Sequence, residues 1–189
     1  MYELAEGYYN GITGIEYMDK AAHLFYDAVK NGRADAIRGL QKIASATSLD
    51  SAPIYLGYFA EEGNKEAKDT LMNLAEEGIR GHVFFPLLQM AQKGDMEVLG
   101  KFTDLANKGN QDAVRALYLL AGDNEEALRT LISIAEKGNA KAIGFLKDLV
   151  LRNNNEDAAR ALRKLADDGN PDAQQAIREL EKDSTEPNA

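Results

Sequence analysis

The sequence predicts an all-α fold, a right-handed α-α superhelix of about six antiparallel helix pairs, and three observations predict it. A phrase of the form apolar-x-x-apolar-Ala-x-x-Gly recurs along the chain. Apolar residues fall three and four apart, which lines one face of a helix, whereas a strand would need strict alternation. Gly-Asn then punctuates the pattern at Gly63-Asn64, Gly109-Asn110, Gly138-Asn139 and Gly169-Asn170. The phrase is carried by Leu71, Leu74, Ala75 and Gly78; by Leu87, Met90, Ala91 and Gly94; by Phe102, Leu105, Ala106 and Gly109; by Leu131, Ile134, Ala135 and Gly138; and by Leu162, Leu165, Ala166 and Gly169. Glycines 63, 78, 94 and 109 are spaced by 15, 16 and 15 residues, and 109, 138 and 169 by 29 and 31. A unit of about fifteen residues therefore alternates within a pair of about thirty, two helices to a repeat.

Taken in order, the elements follow from this phrase. The first helix, 2–9, carries Leu4, Ala5 and Tyr8; the second, 18–30, closes at Gly32. Helices 34–46 and 51–62 follow, the latter closing at Gly63, and 65–77 closes at Gly78. In 83–93, which ends before Gly94, Pro86 makes the helix begin late, because its ring cannot sit in a helix interior. Helix 96–108 closes at Gly109, 112–121 and 125–137 follow, and the latter closes at Gly138. Helices 141–152 and 156–168 come next, the second closing at Gly169; Pro171 then opens 172–182, whose Arg178, Glu179, Glu181 and Lys182 give it a polar outer face. Each closing Gly takes the left-handed conformation just past a helix, and the Asn after it caps the next one. Residues 1–182 are expected to form a single helical-repeat domain, with 183–189 a disordered tail.

The chain of 189 residues is 44% hydrophobic, enough for a packed interior. With 31 Asp and Glu against 22 Lys and Arg its net charge is -9, which repels bare phosphate backbones and makes nucleic acid a poor partner. A basic protein or peptide is the better electrostatic match. Absence of cysteine removes disulfides, thiolate zinc sites and thiol nucleophiles together. Met1 to Asn10 show no basic stretch followed by an apolar run, and no segment has the apolar length that spans a bilayer, so a cytoplasmic location and no membrane partner are expected, with a periplasmic or secreted location the alternative if an upstream leader has been removed.

At the N-terminus, Leu4, Ala5, Tyr8 and Gly11, then Gly14 and Ile15, Lys20 and Ala21, Phe25, Ala28, Gly32, Ala34 and Ala36 follow one another in a recognisable order. This stretch, about residues 1–36, resembles the Sel-one-like repeat, a relative of the tetratricopeptide repeat. It departs from that pattern in carrying Ala5 for the first Gly and one extra residue between Gly11 and Gly14. From Leu40 onward the units lack the Tyr and the glycine loop and look more like an armadillo- or HEAT-type array. The resemblance implies an interaction scaffold and does not transfer a partner.

No set of residues carries a catalytic, cofactor or metal signature. His23 and His82 are the only histidines and lie on different repeats, so neither has the partners a zinc site or a triad needs. Gly11-Ile12-Thr13-Gly14 lacks the Lys-Ser/Thr of a phosphate-binding loop and stands between helices. Carboxylates pair in sequence at Glu61-Glu62, Glu76-Glu77, Glu125-Glu126 and Asp167-Asp168, but adjacent helical residues do not face one another and make poor acid/base couples. Three of the pairs stand at helix C-termini, where the helix dipole disfavours negative charge. Every second helix ends on the same edge of such an array, so Glu76, Glu77, Glu136, Asp167 and Asp168 are expected to form an acidic rim against Lys108 and Lys137.

Aromatic residues crowd the first third. Tyr8, Phe25 and Phe59 fall on inward positions, while Tyr9, Tyr17, Tyr55 and Tyr58, with Phe84 and Phe85 next along the chain, are candidates for exposed partner contact, Tyr being enriched at binding hot spots. The expected function is a scaffold that holds a protein or peptide partner, basic in character, on its concave face or acidic rim. A narrower member of that class is an immunity protein neutralising a basic toxin. An enzyme would need converging polar groups that the sequence does not supply, and a nucleic-acid binder would have to rely on Arg115, Arg129, Arg160 and Arg163 against the global charge.

Overall fold

A computed structural model describes residues 1–11, 15–46, 51–78 and 82–185 of the chain. Among them lie twelve α-helices and no strand: α1 (Tyr2–Gly11), α2 (Ile15–Lys30), α3 (Ile37–Ala46, entered through a 3₁₀ turn at Ala34–Ala36), α4 (Ser51–Glu61), α5 (Lys65–Glu76), α6 (Phe84–Gln92), α7 (Met96–Asn107), α8 (Gln111–Leu120), α9 (Glu125–Glu136), α10 (Ala140–Asn153), α11 (Glu156–Asp167) and α12 (Pro171–Thr185). The all-α class is as the repeat phrase predicts, and every predicted helix is present.

Helix punctuation follows from hydrogen bonding at each chain reversal. At the end of α7 the Gly109 N–H donates to the Ala106 carbonyl at 2.9 Å and the Asn110 N–H to the Leu105 carbonyl at 2.9 Å. This closure requires Gly109 to sit at φ +88°, where a side chain is strained. Leu105 and Ala106 are the apolar-Ala pair of the phrase, so the residues that bury the helix also supply the carbonyls that end it. Asn110 then caps α8, its Oδ1 accepting from the N–H groups of Asp112 and Ala113 at 3.0 Å each. The same left-handed glycine recurs at Gly32, Gly63, Gly78, Gly94, Gly138 and Gly169.

Side-chain caps extend beyond the Gly-Asn pairs. Asp95 accepts from the Val98 N–H at 3.2 Å, Asn124 from Ala127 at 3.0 Å and Asn155 from Ala158 at 2.9 Å. Asn154, at φ 49°, does at the end of α10 what glycine does elsewhere.

Boundaries shift at three places. Helix α2 begins at Ile15 rather than at 18, its first turn carrying Glu16 paired with Lys20 at 2.8 Å. Residues 34–36 wind as 3₁₀ before α3. Helix α12 continues to Thr185, two residues past the expected start of the loose tail at Asp183, because no helix breaker precedes Pro187. Residues 186–189 and 12–14, the latter all of the Gly11–Gly14 segment but Gly11, lie outside the described residues.

The chain divides into two compact units, Met1–Val98 and Leu99–Ala189, with the division inside α7. Within each, a helix packs on its neighbour in sequence and on the next but one. In the first unit α2 meets α1, α3 and α4, and α4 meets α3, α5 and α6; in the second α10 meets α8, α9, α11 and α12. No single pair could bury its apolar stripe, and the next-but-one contact covers it.

The first core is built on Phe25, Ile37, Leu40, Ile43, Leu56, Leu71 and Leu87, all fully buried or nearly so. The second is built on Phe102, Leu117, Leu131, Ile143 and Leu146. Buried alanines, among them Ala21, Ala52, Ala67 and Ala135, let the helix axes approach. Gly39 takes this furthest: a methyl group there would meet the Phe25 ring at 2.5 Å.

Polar side chains repeat with the same period. Lys30 reaches Glu62 at 2.8 Å, Lys93 reaches Glu61 at 2.8 Å, Lys147 reaches Glu179 at 2.6 Å and Lys164 reaches Glu136 at 2.9 Å. These pairs are 28 to 32 residues apart, one repeat, so equivalent helices are stapled at equivalent positions.

Candidate functional site

In the first unit, α2 and α4 lie side by side and each presents a stripe that the core does not use. On α2, residues Asp19, His23 and Asp27 stand four apart, hence on one face, with Tyr26 and Lys30 beside them. On α4 the corresponding stripe holds Tyr55 and Tyr58, with Glu62 just past its end. Because the repeat is about thirty residues, a residue of α2 meets the one 29 to 33 positions later on α4.

Tyr26 stacks on Tyr55 with ring centroids 4.6 Å apart and an interplanar angle of 25°. Its ring also meets Tyr58 edge-on at 6.3 Å and Phe59 at 5.4 Å. Tyr55 and Tyr58 are 6.4 Å apart. Phe59 anchors the group from below, buried in the core, whereas Tyr58 is 50% exposed and Tyr26 and Tyr55 are half-buried.

His23 completes the cluster. Its Nδ1 lies 3.1 Å from the Tyr55 hydroxyl and its Nε2 3.7 Å from an Asp27 carboxylate oxygen. A neutral imidazole satisfies both contacts when Nε2 carries the proton and Nδ1 accepts from the phenol. Partial burial, then the nearby carboxylates of Asp19 and Asp27, hold the Tyr55 phenol above its usual range, so it stays a neutral hydrogen-bond donor. The result is an accessible aromatic surface bordered by carboxylates, able to receive a cation on its π faces and to compensate the charge at its edge.

The sequence expects Tyr55 and Tyr58 to lie on one surface, and they do. Tyr9 and Tyr17 are placed otherwise. Tyr17 stacks on Tyr8 at 5.9 Å with the Lys20 ammonium 5.4 Å from its ring centroid, and Tyr9 has the Lys42 ammonium 5.9 Å from its own. Both are half-buried, as is Tyr8, which the repeat register places inward with Phe25 and Phe59. Phe84 opens α6 half-buried, and Phe85 beside it is 53% exposed.

The carboxylate positions are exposed as expected, but Glu136 is not a bare charge, being paired with Lys164 at 2.9 Å. Lys137 is drawn to the Asn107 side-chain oxygen at 2.7 Å. Glu76, Glu77, Asp167 and Asp168 are all exposed at helix C-termini. An open cleft of about 400 Å³ between the ends of α4 and α6 is lined by Ala60, Glu61, Met90, Lys93, Gly94 and Asp95. Its charged groups answer one another: Glu61 binds Lys93, and Asp95 binds Lys68 at 2.7 Å.

Of the arginines that a nucleic-acid surface would need, Arg129 is held by Glu125 at 2.6 Å and Arg160 by Asp157 of its own helix. Among the described residues, no group of three His, Asp or Glu is placed to hold a metal ion, and no helix is long and apolar enough to cross a membrane.

Two members of the surface, Tyr26 and His23, carry no signal as single residues. The repeat period holds the clue, since Tyr26 precedes Tyr55 by 29 residues and His23 precedes it by 32. No family model, curated protein or solved structure matches this chain.

Proposed function

We propose that the chain is a protein-interaction scaffold and that the α2–α4 face of its first unit receives a positively charged segment of a protein or peptide partner. One observation carries this reading: Tyr26 stacks on Tyr55 and meets Tyr58 edge-on, forming one aromatic cluster that the chain leaves partly accessible, with Asp19 and Asp27 along its edge. Packed aromatics left open to water forgo burial that a partner can complete, and tyrosines in such clusters dominate binding energies. The net charge of -9 adds long-range attraction for a basic partner and sets the expected sensitivity of the on-rate to salt.

The test is calorimetric titration of the full chain with short Lys/Arg-rich peptides and with acidic peptides of equal length, repeated on Tyr58→Ala. Binding confined to the basic peptides, weakened by Tyr58→Ala and by salt, supports the proposal. Equal binding by wild type and Tyr58→Ala, or no preference for basic peptides, overturns it.

A further inference from the structure

The α2–α4 face contains an imidazole, the side-chain type that can gain or lose a proton in the physiological range. His23 stands at the centre of the stripe, one turn from Asp19 on one side and from Asp27 on the other. Its ring lies 6.0 Å from Tyr55 and 6.5 Å from Tyr26, stacked against the latter at 25°. Its side chain is 61% exposed, within reach of a ligand resting on those rings.

Resting on the reading above, we infer that this face takes an arginine side chain of a basic peptide in direct competition with a proton on His23. The guanidinium is flat, weakly hydrated and forked. It can lie on an open tyrosine ring while its N–H groups reach a carboxylate, a geometry that the compact, strongly hydrated ammonium of lysine does not match. The neighbouring Tyr55 and half-exposed Tyr58 rings supply the platform, and Asp27, close to Tyr55, supplies the acceptor.

Once protonated, His23 becomes a cation 3.7 Å from Asp27, occupying that carboxylate and repelling a second positive charge brought onto the neighbouring rings. When neutral, it leaves Asp27 its full charge. Proton and guanidinium thus disfavour one another, and arginine binding weakens the hold of His23 on its proton.

The other titratable groups beside His23 are Asp19, Lys20, Tyr26 and Asp27 of α2 and Tyr55 of α4. Carboxylates as a class change charge near pH ~4 and phenols near pH ~10, so a window from about pH 5.5 to about pH 8 isolates the imidazole. Lys20, one turn before His23, is engaged by Glu16 at 2.8 Å and Lys30, one turn past Tyr26, by Glu62 at 2.8 Å, and both keep their charge throughout that window.

Calorimetric titration with an acetylated, amidated peptide of alternating arginine and serine, across that window at fixed ionic strength, tests the inference. The citrulline and lysine versions of the peptide serve as comparators. The arginine peptide should tighten by about three- to ten-fold from the acid to the neutral end, the size of one screened like-charge contact. It should bind better than the lysine peptide, and the citrulline peptide should lose binding. His23→Gln, which keeps a polar group and has no titrating charge, should abolish the slope, and His82→Gln should retain it. The imidazole signal of His23 in proton NMR should shift its midpoint downward on saturation with the arginine peptide.

A flat pH profile in wild type, a slope surviving in His23→Gln, or equal affinity for lysine and arginine overturns the inference while leaving the basic-partner surface standing. Failure of every basic peptide to bind at any pH removes both.

Discussion

Pro86 fills the space in which Gly57 would carry a side chain: a methyl group on Gly57 would meet the Pro86 Cβ at 2.4 Å. The contact seats the first turn of α6 on the middle of α4, the helix that bears Tyr55 and Tyr58. The neighbouring residue is Proline Cα and Cγ backed by helix, with no flexible tip to yield. Gly57→Ala should therefore destabilise the first unit by about 1–3 kcal/mol through overpacking. Urea denaturation followed by circular dichroism reads the change; an unaltered midpoint would show that α6 can slide away from α4 at no cost.

Helix punctuation predicts a graded series. Asn110→Ala removes the side-chain acceptor for two N–H groups and should cost about 1 kcal/mol. Gly109→Ala places a Cβ at φ +88° and should cost about 1–2 kcal/mol. Together they touch one reversal, so the double variant should fall short of the sum. Chemical denaturation of the three variants measures this directly.

Asn154 is the non-glycine residue at positive φ among the described residues, and its tolerance rests on a short polar side chain. Asn154→Ala should cost about 1 kcal/mol, whereas Asn154→Gly should be no less stable than the native chain. The order of the two melting temperatures is the measurement, and a melting temperature for Ala at or above that for Gly would contradict the left-handed closure of α10.

Tyr118 and Asp148 join α8 to α10: the hydroxyl donates to the carboxylate, and the Tyr118 ring stacks on Phe145 at 4.4 Å and 8°. The Tyr118 hydroxyl, then Arg152, hold the Asp148 carboxyl below its ordinary range. A folded-state value below the unfolded one gives stability that is present above the unfolded carboxyl range and is lost as pH falls through the folded value. Tyr118→Phe should cost about 1 kcal/mol at neutral pH and less at pH ~3, so the gap between variant and wild type should narrow on acidification. Melting curves at the two pH values decide it.

Tyr58→Ala should leave the fold almost untouched, since half of that side chain is already in water, while weakening a basic peptide by about 5- to 30-fold if the tyrosine is a hot spot. Phe59→Ala should do the opposite first, costing about 3–5 kcal/mol of stability because its ring is buried. Comparing melting temperature with peptide affinity for the pair separates surface from support.

Much of this protein is local, and local features are legible in a sequence. The apolar spacing in Leu131, Ile134 and Ala135 specifies a helical stripe without knowledge of its neighbour, and Gly138-Asn139 specifies both the stop and the next start, because left-handed closure and side-chain capping involve residues only a turn apart. The caps at Asn124 and Asn155 and the left-handed Asn154 escape the phrase, since in each of these closures asparagine stands without the glycine.

What the sequence by itself determined is therefore the inventory of helices, their reversals and the inward set of leucines and alanines. Tertiary structure alone decided which accessible side chains meet. Tyr9, Tyr17, Tyr55 and Tyr58 look alike as letters, yet Tyr17 turns to Tyr8, Tyr9 lies beneath Lys42, and Tyr55 and Tyr58 join Tyr26 and His23. Periodicity along one helix fixes the direction a residue points, but the partner it finds depends on how the helix one repeat away is laid against it, and that placement is set by contacts such as Gly57 on Pro86 and Gly39 on Phe25.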